Sequence, residues 1–193
     1  MNKSPRKIRF LVSGLAPSAP LQHVFNIANW LTEDGWHVEI IAPDYRGMDL
    51  PYPLDESVRL TMIATQDEGK RRRRVVYFLF LLWTICRGTD VVVATTWYMA
   101  YLALGGRILG PRTRLVQWMY DYEPETHVRS ELRQFQWILD RLSRLIYRLP
   151  LHRVAVTEAL KQQTKTQATI LSVSDDDDMR KAHIAYFNGL IQR

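Results

Sequence analysis

Six short runs of mostly β-branched apolar residues recur along this chain, at 8–13, 37–42, 58–64, 90–95, 114–120 and 152–157. Most are separated by segments long enough to form helices. The run DVVVAT at 90–95 has no polar residue inside it, so as a strand it would be buried on both faces. Strands of that kind belong to parallel sheets covered by helices, and right-handed crossovers leave one compact way to connect them. The expected fold is therefore α/β, a single doubly wound parallel sheet.

Helical spacing of apolar residues over 21–34 ends at Gly35, a C-cap signal. The segments 70–87, 98–109, 130–149 and 158–166 read as further helices. Beyond residue 169 the pattern weakens: 170–173 reads as a last short strand, 175–178 as an acidic run, and 179–191 as a terminal helix. The sequence thus divides into a domain over 1–168 and a C-terminal extension over 169–193.

One cysteine, Cys86, and five scattered histidines exclude an intramolecular disulfide framework and a cysteine-based zinc site. A reducing cytoplasm is the simplest setting, and Arg9 interrupts the first apolar stretch in a way that argues against a signal peptide. The 26 basic against 20 acidic residues, a net charge of +6, favour anionic partners: phosphates, anionic lipid or RNA. Part of that charge is one block, Lys70, Arg71, Arg72, Arg73 and Arg74, which runs into an apolar stretch over 75–86. A spanning helix needs about 20 apolar residues, so this stretch fits a core helix or an interfacial segment.

Over 130–149, Leu132, Phe135, Leu139, Leu142, Ile146 and Leu149 make one apolar stripe, while Arg133, Trp137, Arg141, Arg144 and Arg148 share the opposite face. That basic face is either simply solvated or rests on an anionic membrane together with Arg71, Arg72, Arg73 and Arg74. No nucleic-acid recognition motif accompanies the arginines, which argues against RNA or DNA.

Doubly wound sheets bind ligands outside the carboxyl ends of their strands, here the segments 14–20, 43–46, 95–98, 121–125 and 157–158. The first lacks the repeated glycines of a dinucleotide fingerprint; it is either a proline-stiffened connection or a cleft wall containing Ser13, Gly14 and Ser18. Asp121, Tyr122 and Glu123 follow an apolar strand, with Pro124 fixing the backbone. Those carboxylates either start a helix in solvent or face a hydroxylic or cationic ligand. Trp97 and Tyr98 occupy the equivalent place after 90–95, as core aromatics or as a surface on which a sugar or base stacks.

Four segments in order resemble the N-terminal half of bacterial GT-B retaining glycosyltransferases, of the rhamnosyltransferase-like family 4 type. They are VFNIANWL with GWHVEII at 24–41, DVVVATTWYMAY at 90–101, QWMYDYEP at 117–124, and YRLP with VAVTEALK at 147–161. The resemblance implies half of a GT-B fold, a Rossmann-like domain that faces a second one across a cleft. In that family the N-terminal domain mainly holds the acceptor and the C-terminal one the nucleotide sugar. Asp121 and Glu123 would then orient the acceptor, with Tyr122, Trp97 and Tyr98 lining its groove, and Ser13 and Gly14 would approach the donor phosphate.

The same resemblance implies no cofactor and no metal in this chain, and a nucleotide-sugar donor once a donor-binding partner chain is present. The acceptor would be a saccharide or a lipid-linked saccharide of surface polysaccharide assembly, handled at the inner face of the cell membrane. The contrasting expectation is a non-catalytic module that binds a membrane or a partner. The sequence departs from the family in its first loop, where Ala16-Pro17-Ser18-Ala19-Pro20 replaces a glycine-rich turn, and after Lys161, where an acidic run replaces the expected turn.

Overall fold

The computed structural model describes residues 6–44, 50–64, 85–107, 110–119, 151–155, 168–171 and 176–192, with Arg141 and Leu145. These form β1 (Lys7–Leu11), α1 (Ala19–Glu33), β2 (His37–Asp44), β3 (Arg59–Ala64), β4 (Val91–Ala94), α2 (Trp97–Arg107), β5 (Arg114–Met119), β6 (His152–Ala155), β7 (Thr169–Ile170) and α3 (Asp176–Gln192). All seven strands are parallel, in the order β3-β2-β1-β4-β5-β6-β7. The chain therefore builds outward from β1 to β3, crosses back, and builds the other half from β4 to β7. The expected doubly wound α/β sheet is what the chain forms.

Side chains alternate between the two faces of the sheet. On one face Ile8, Phe10, Val38, Ile40, Val91, Val93, Val116 and Trp118 meet α1 and α3. On the other, Leu11, Ile41, Val92, Ala94 and Leu115 meet α2, with Ile85 and Cys86. All four residues of β4 are buried, which is why its sequence is apolar throughout.

The caps of α1 follow from local chemistry. Ser18 Oγ accepts the Leu21 N–H at 3.3 Å, and Pro20 occupies the first turn, where no amide is needed. At the other end Gly35 adopts φ +84°. There the Gly35 N–H bonds to the Thr32 carbonyl and the Trp36 N–H to that of Leu31, both at 3.0 Å.

Several boundaries differ from the sequence expectation. β1 stops at Leu11 because the chain turns out at Ser13, although the Val12 N–H still reaches the Ile41 carbonyl at 3.0 Å. The last strand is two residues, Thr169–Ile170. The terminal helix starts earlier, at Asp176, so part of the acidic run becomes its first turn, where the helix dipole favours carboxylates. The helices expected over 70–87, 130–149 and 158–166 lie outside the described residues, except at 85–87, Arg141 and Leu145.

α3 is built into the core. His183 and Phe187 are fully buried, Phe187 meets Phe10 and Trp36 edge-on, and Trp118 stacks on both His183 and Phe187. Polar contacts fix the helix at its margins: Arg180 pairs with Glu33, Arg6 donates to Asn188 Oδ1, and Asn188 Nδ2 donates to Asp34 Oδ2 at 3.2 Å.

Candidate functional site

The strand order reverses between β1 and β4, so the loops that leave those two strands diverge to opposite faces and open a crevice at their carboxyl ends. After β1 come Ser13, exposed, and Gly14, half-buried. A Cβ added at Gly14 would meet nothing within 4 Å among the described residues. After β4 come Thr95 and Thr96, and Trp97 and Tyr98 form the first turn of α2.

The two strand ends are tied together. Thr95 donates twice to the Leu11 carbonyl, from its backbone N–H at 3.2 Å and from its hydroxyl at 2.9 Å. This ties the residue after β4 to the last residue of β1. The Thr96 hydroxyl oxygen is buried and finds no hydrogen-bond partner among the described residues, and an unpaired buried hydroxyl is costly unless something supplies a partner. The amino end of α2 belongs to this edge, because the helix follows a strand that ends there, whereas in α1 Pro20 has no amide and the Leu21 amide is taken by Ser18. Free helix N-terminal amides and their dipoles favour anionic or hydroxylic groups.

Of the residues the sequence singled out, Ser13, Gly14, Trp97 and Tyr98 are brought to the two sides of this crevice along the backbone. β5 also ends at this edge, at Met119. Asp121, Tyr122 and Glu123 lie outside the described residues, as do Arg71, Arg72, Arg73, Arg74, Trp137, Arg144 and Arg148. Arg141 is exposed, as is Leu145, four residues on, at 47%. Thr95 and Thr96 were not singled out individually. The signal that finds them is topological: they matter because β4, and not β2, flanks β1 on the side where the crevice opens.

A concavity of about 290 Å³ lies at the opposite edge, by the amino ends of β1, β2 and β3, near Lys7, His37 and Arg59. Its floor is an ion-paired brace. Arg9 Nε meets Glu39 Oε2 at 2.6 Å, the Thr61 hydroxyl donates to Glu39 Oε1 at 2.6 Å, and Arg59 Nε stands 3.6 Å from the same oxygen. Arg9 also donates to the carbonyls of Ile85 and Arg87, at 2.9 and 3.2 Å. These contacts join β1, β2 and β3 to the segment before β4, and the strand-leaving loops do not converge on this edge.

An open parallel sheet whose strand order reverses between β1 and β4 defines a Rossmann-like domain. The sequence model of glycosyltransferase family 4 matches residues 22–170, and the chain belongs to that family. No curated protein matches it by sequence.

Among solved structures it is similar to sucrose-phosphate synthase from Thermosynechococcus elongatus, with a TM-score of 0.61 and 12% identity over 88% of this chain and 48% of that one. It is also similar to HepE of Anabaena, solved with UDP and glucose (TM-score 0.58, 14% identity, 89% and 45% covered). A third is the lipopolysaccharide outer core galactosyltransferase WaaB (0.54, 11%, 86% and 45%). The chain spans about half the length of each, and the fold it shares with them is one half of a GT-B architecture. Among the described residues, no helix is long and apolar enough to cross a membrane.

Proposed function

We propose that this chain is the acceptor-side lobe of a sugar-transfer enzyme, with its saccharide or lipid-linked acceptor held in the crevice between the ends of β1 and β4. The observation that carries this reading is that crevice: Ser13 and Gly14 on one side, Thr95, Thr96 and the start of α2 on the other, in a chain of glycosyltransferase family 4. Hydroxyls and the amino end of α2 suit a ligand rich in hydroxyl groups. The open backbone at Gly14 leaves room for a donor diphosphate to approach from a second domain. Asp121 and Glu123 orient the acceptor, and Tyr122, Trp97 and Tyr98 line its path.

In this reading the nucleotide sugar is bound by a separate donor-binding half. Attraction between the arginines Arg71, Arg72, Arg73, Arg74, Arg141, Arg144 and Arg148 and an anionic leaflet holds the lobe, peripherally, where lipid-linked acceptors of polysaccharide assembly reside.

The test uses the purified chain with radiolabelled nucleotide sugars and a polyprenyl-linked saccharide. Acceptor binding without transfer by the chain alone, and transfer once a family 4 donor-binding domain is added, is the expected result. Turnover by the isolated chain would overturn the division of labour. Failure to bind any saccharide acceptor, with liposome binding retained, would leave the membrane-binding module as the function.

A further inference from the structure

His23 in α1 and His183 in α3 are separated by 160 residues of sequence, yet their Nε2 atoms lie 3.3 Å apart. Only one proton fits between two ring nitrogens at that distance. His183 Nδ1 stands 2.6 Å from the Met179 carbonyl, which can only accept, so Nδ1 carries the His183 proton. Its Nε2 is then a bare acceptor, and His23 Nε2–H must be the donor. Both rings are neutral in this arrangement. A second proton on His183 would set N–H against N–H within van der Waals contact.

We propose that the contact between α1 and α3 is a proton-sensitive latch, closed while His23 and His183 share one proton and released in mild acid when His183 gains its second. His183 is fully buried, flat against the Trp118 ring at 5.3 Å between centroids and 9° between planes. A charged imidazolium there could not be hydrated without moving α3 away from the sheet. Leaving would take Phe187 off Phe10 and Trp36, and so uncover the aromatic surface of this sheet face.

Around His183 itself the described residues supply no counter-charge. α1 brings the Trp30 ring to His183, and its carboxylates stand at the far end of the helix: Glu33 is engaged by Arg180 and Asp34 by Asn188. α3 brings the Met179 carbonyl, and its Lys181 pairs with Asp178 at 3.6 Å. Tyr186 of α3 meets Phe187 edge-on, and burial pushes its phenol further up, so it stays neutral. β5 brings Trp118, and its Arg114 opens the strand at the other end. β1 brings Phe10, while Arg9 points to the other face and holds Glu39.

Burial, and then the charge of His183, hold His23 down to about 4; burial likewise lowers His183, partly opposed by its bond to Met179. A histidine depressed in the folded state binds its proton more readily when released. The latch is therefore at full strength above the ordinary value of 6.5 and weakens as pH falls towards 4, by up to about tenfold per pH unit for each proton taken up.

The experiment is a pH titration of the full chain by NMR, reading the imidazole nitrogens of His23 and His183 and the backbone amides of α3. Expected at pH 7 are an Nδ1–H tautomer at His183 and an Nε2–H tautomer at His23. Between pH 7 and 5, α3 amide protection, corrected for intrinsic exchange, should fall at least tenfold while β1 and β4 amides hold. His23→Gln keeps a donor but removes one titrating ring, and should flatten the α3 profile. His183→Phe should flatten it further, leaving only the contribution of His23; should that variant not fold, His23→Gln and the tautomer assignment remain decisive. Unchanged α3 protection down to pH 4.5, or both rings titrating near 6.5, would overturn the latch. Acceptor and donor binding play no part in these readouts.

Discussion

Thr95 stands at the end of β4 and holds β1 against it, donating both its amide and its hydroxyl to the single carbonyl of Leu11. That carbonyl belongs to the last residue of β1, so one side chain sets the spacing of the two loops that wall the crevice. Thr95→Val keeps the shape and removes one donor. We expect a loss of about 0.5–1.5 kcal/mol in urea unfolding with an unchanged slope, and weaker saccharide binding out of proportion to that loss.

Two glycines should respond oppositely to alanine. At Gly110 an added Cβ would press on the Cys86 carbonyl, with the Cys86 carbonyl carbon and Cβ only 2.8 Å away. Backbone is slow to yield, so Gly110→Ala should cost about 1–3 kcal/mol. At Gly14 nothing among the described residues lies within 4 Å of the added Cβ. Gly14→Ala should leave stability within about 0.5 kcal/mol of the parent and show its effect only in donor or acceptor affinity. Thermal and urea unfolding of both variants, beside binding isotherms, checks the pair.

Ser18 caps the helix that follows the first crevice loop. Ser18→Ala should destabilise the chain by about 1 kcal/mol. Its hydrogen-exchange signature should be confined to the first turn of α1, whereas a change spread across the sheet would show that Ser18 does more than cap.

Cys86 is almost fully buried, and burial pushes its thiol up to about 11 against the pull of Arg9 and Arg107. At pH 8 roughly one molecule in a thousand would carry the thiolate, so alkylation of the native chain should proceed only as fast as it opens. The sign for stability follows: the folded state keeps its proton longer than the unfolded one, so stability declines as pH rises from 9 towards 11. Rapid thiol labelling of the native chain at pH 8 would contradict this.

The layout of the fold was legible because its signals are local. Each strand buried on both faces had to be apolar at successive positions, as in the four residues of β4, and Gly35 marked the end of α1 because the left-handed turn there disfavours a side chain. The loops after β1 and β4 could be singled out by the same reasoning, since the binding edge of a parallel sheet is its carboxyl edge. What stayed hidden was pairing across long separations. Arg9 reads as an interruption of an apolar run, and only the register of β1 on β2 shows it facing Glu39.

α3 makes the division sharpest. Its sequence, with an acidic start and a weakened apolar pattern, reads as a terminal helix in an extension beyond residue 168. Apolar runs and their spacing by themselves determined a parallel α/β sheet, and four segments in order carried the family resemblance. Tertiary structure alone decided which strand flanks β1 at the crevice, and that His183 would lie on Trp118 with its nitrogen against His23. Local pattern records how each segment meets water; it carries no record of which distant segment shares the resulting interior, because that choice is made by packing among many similarly apolar surfaces.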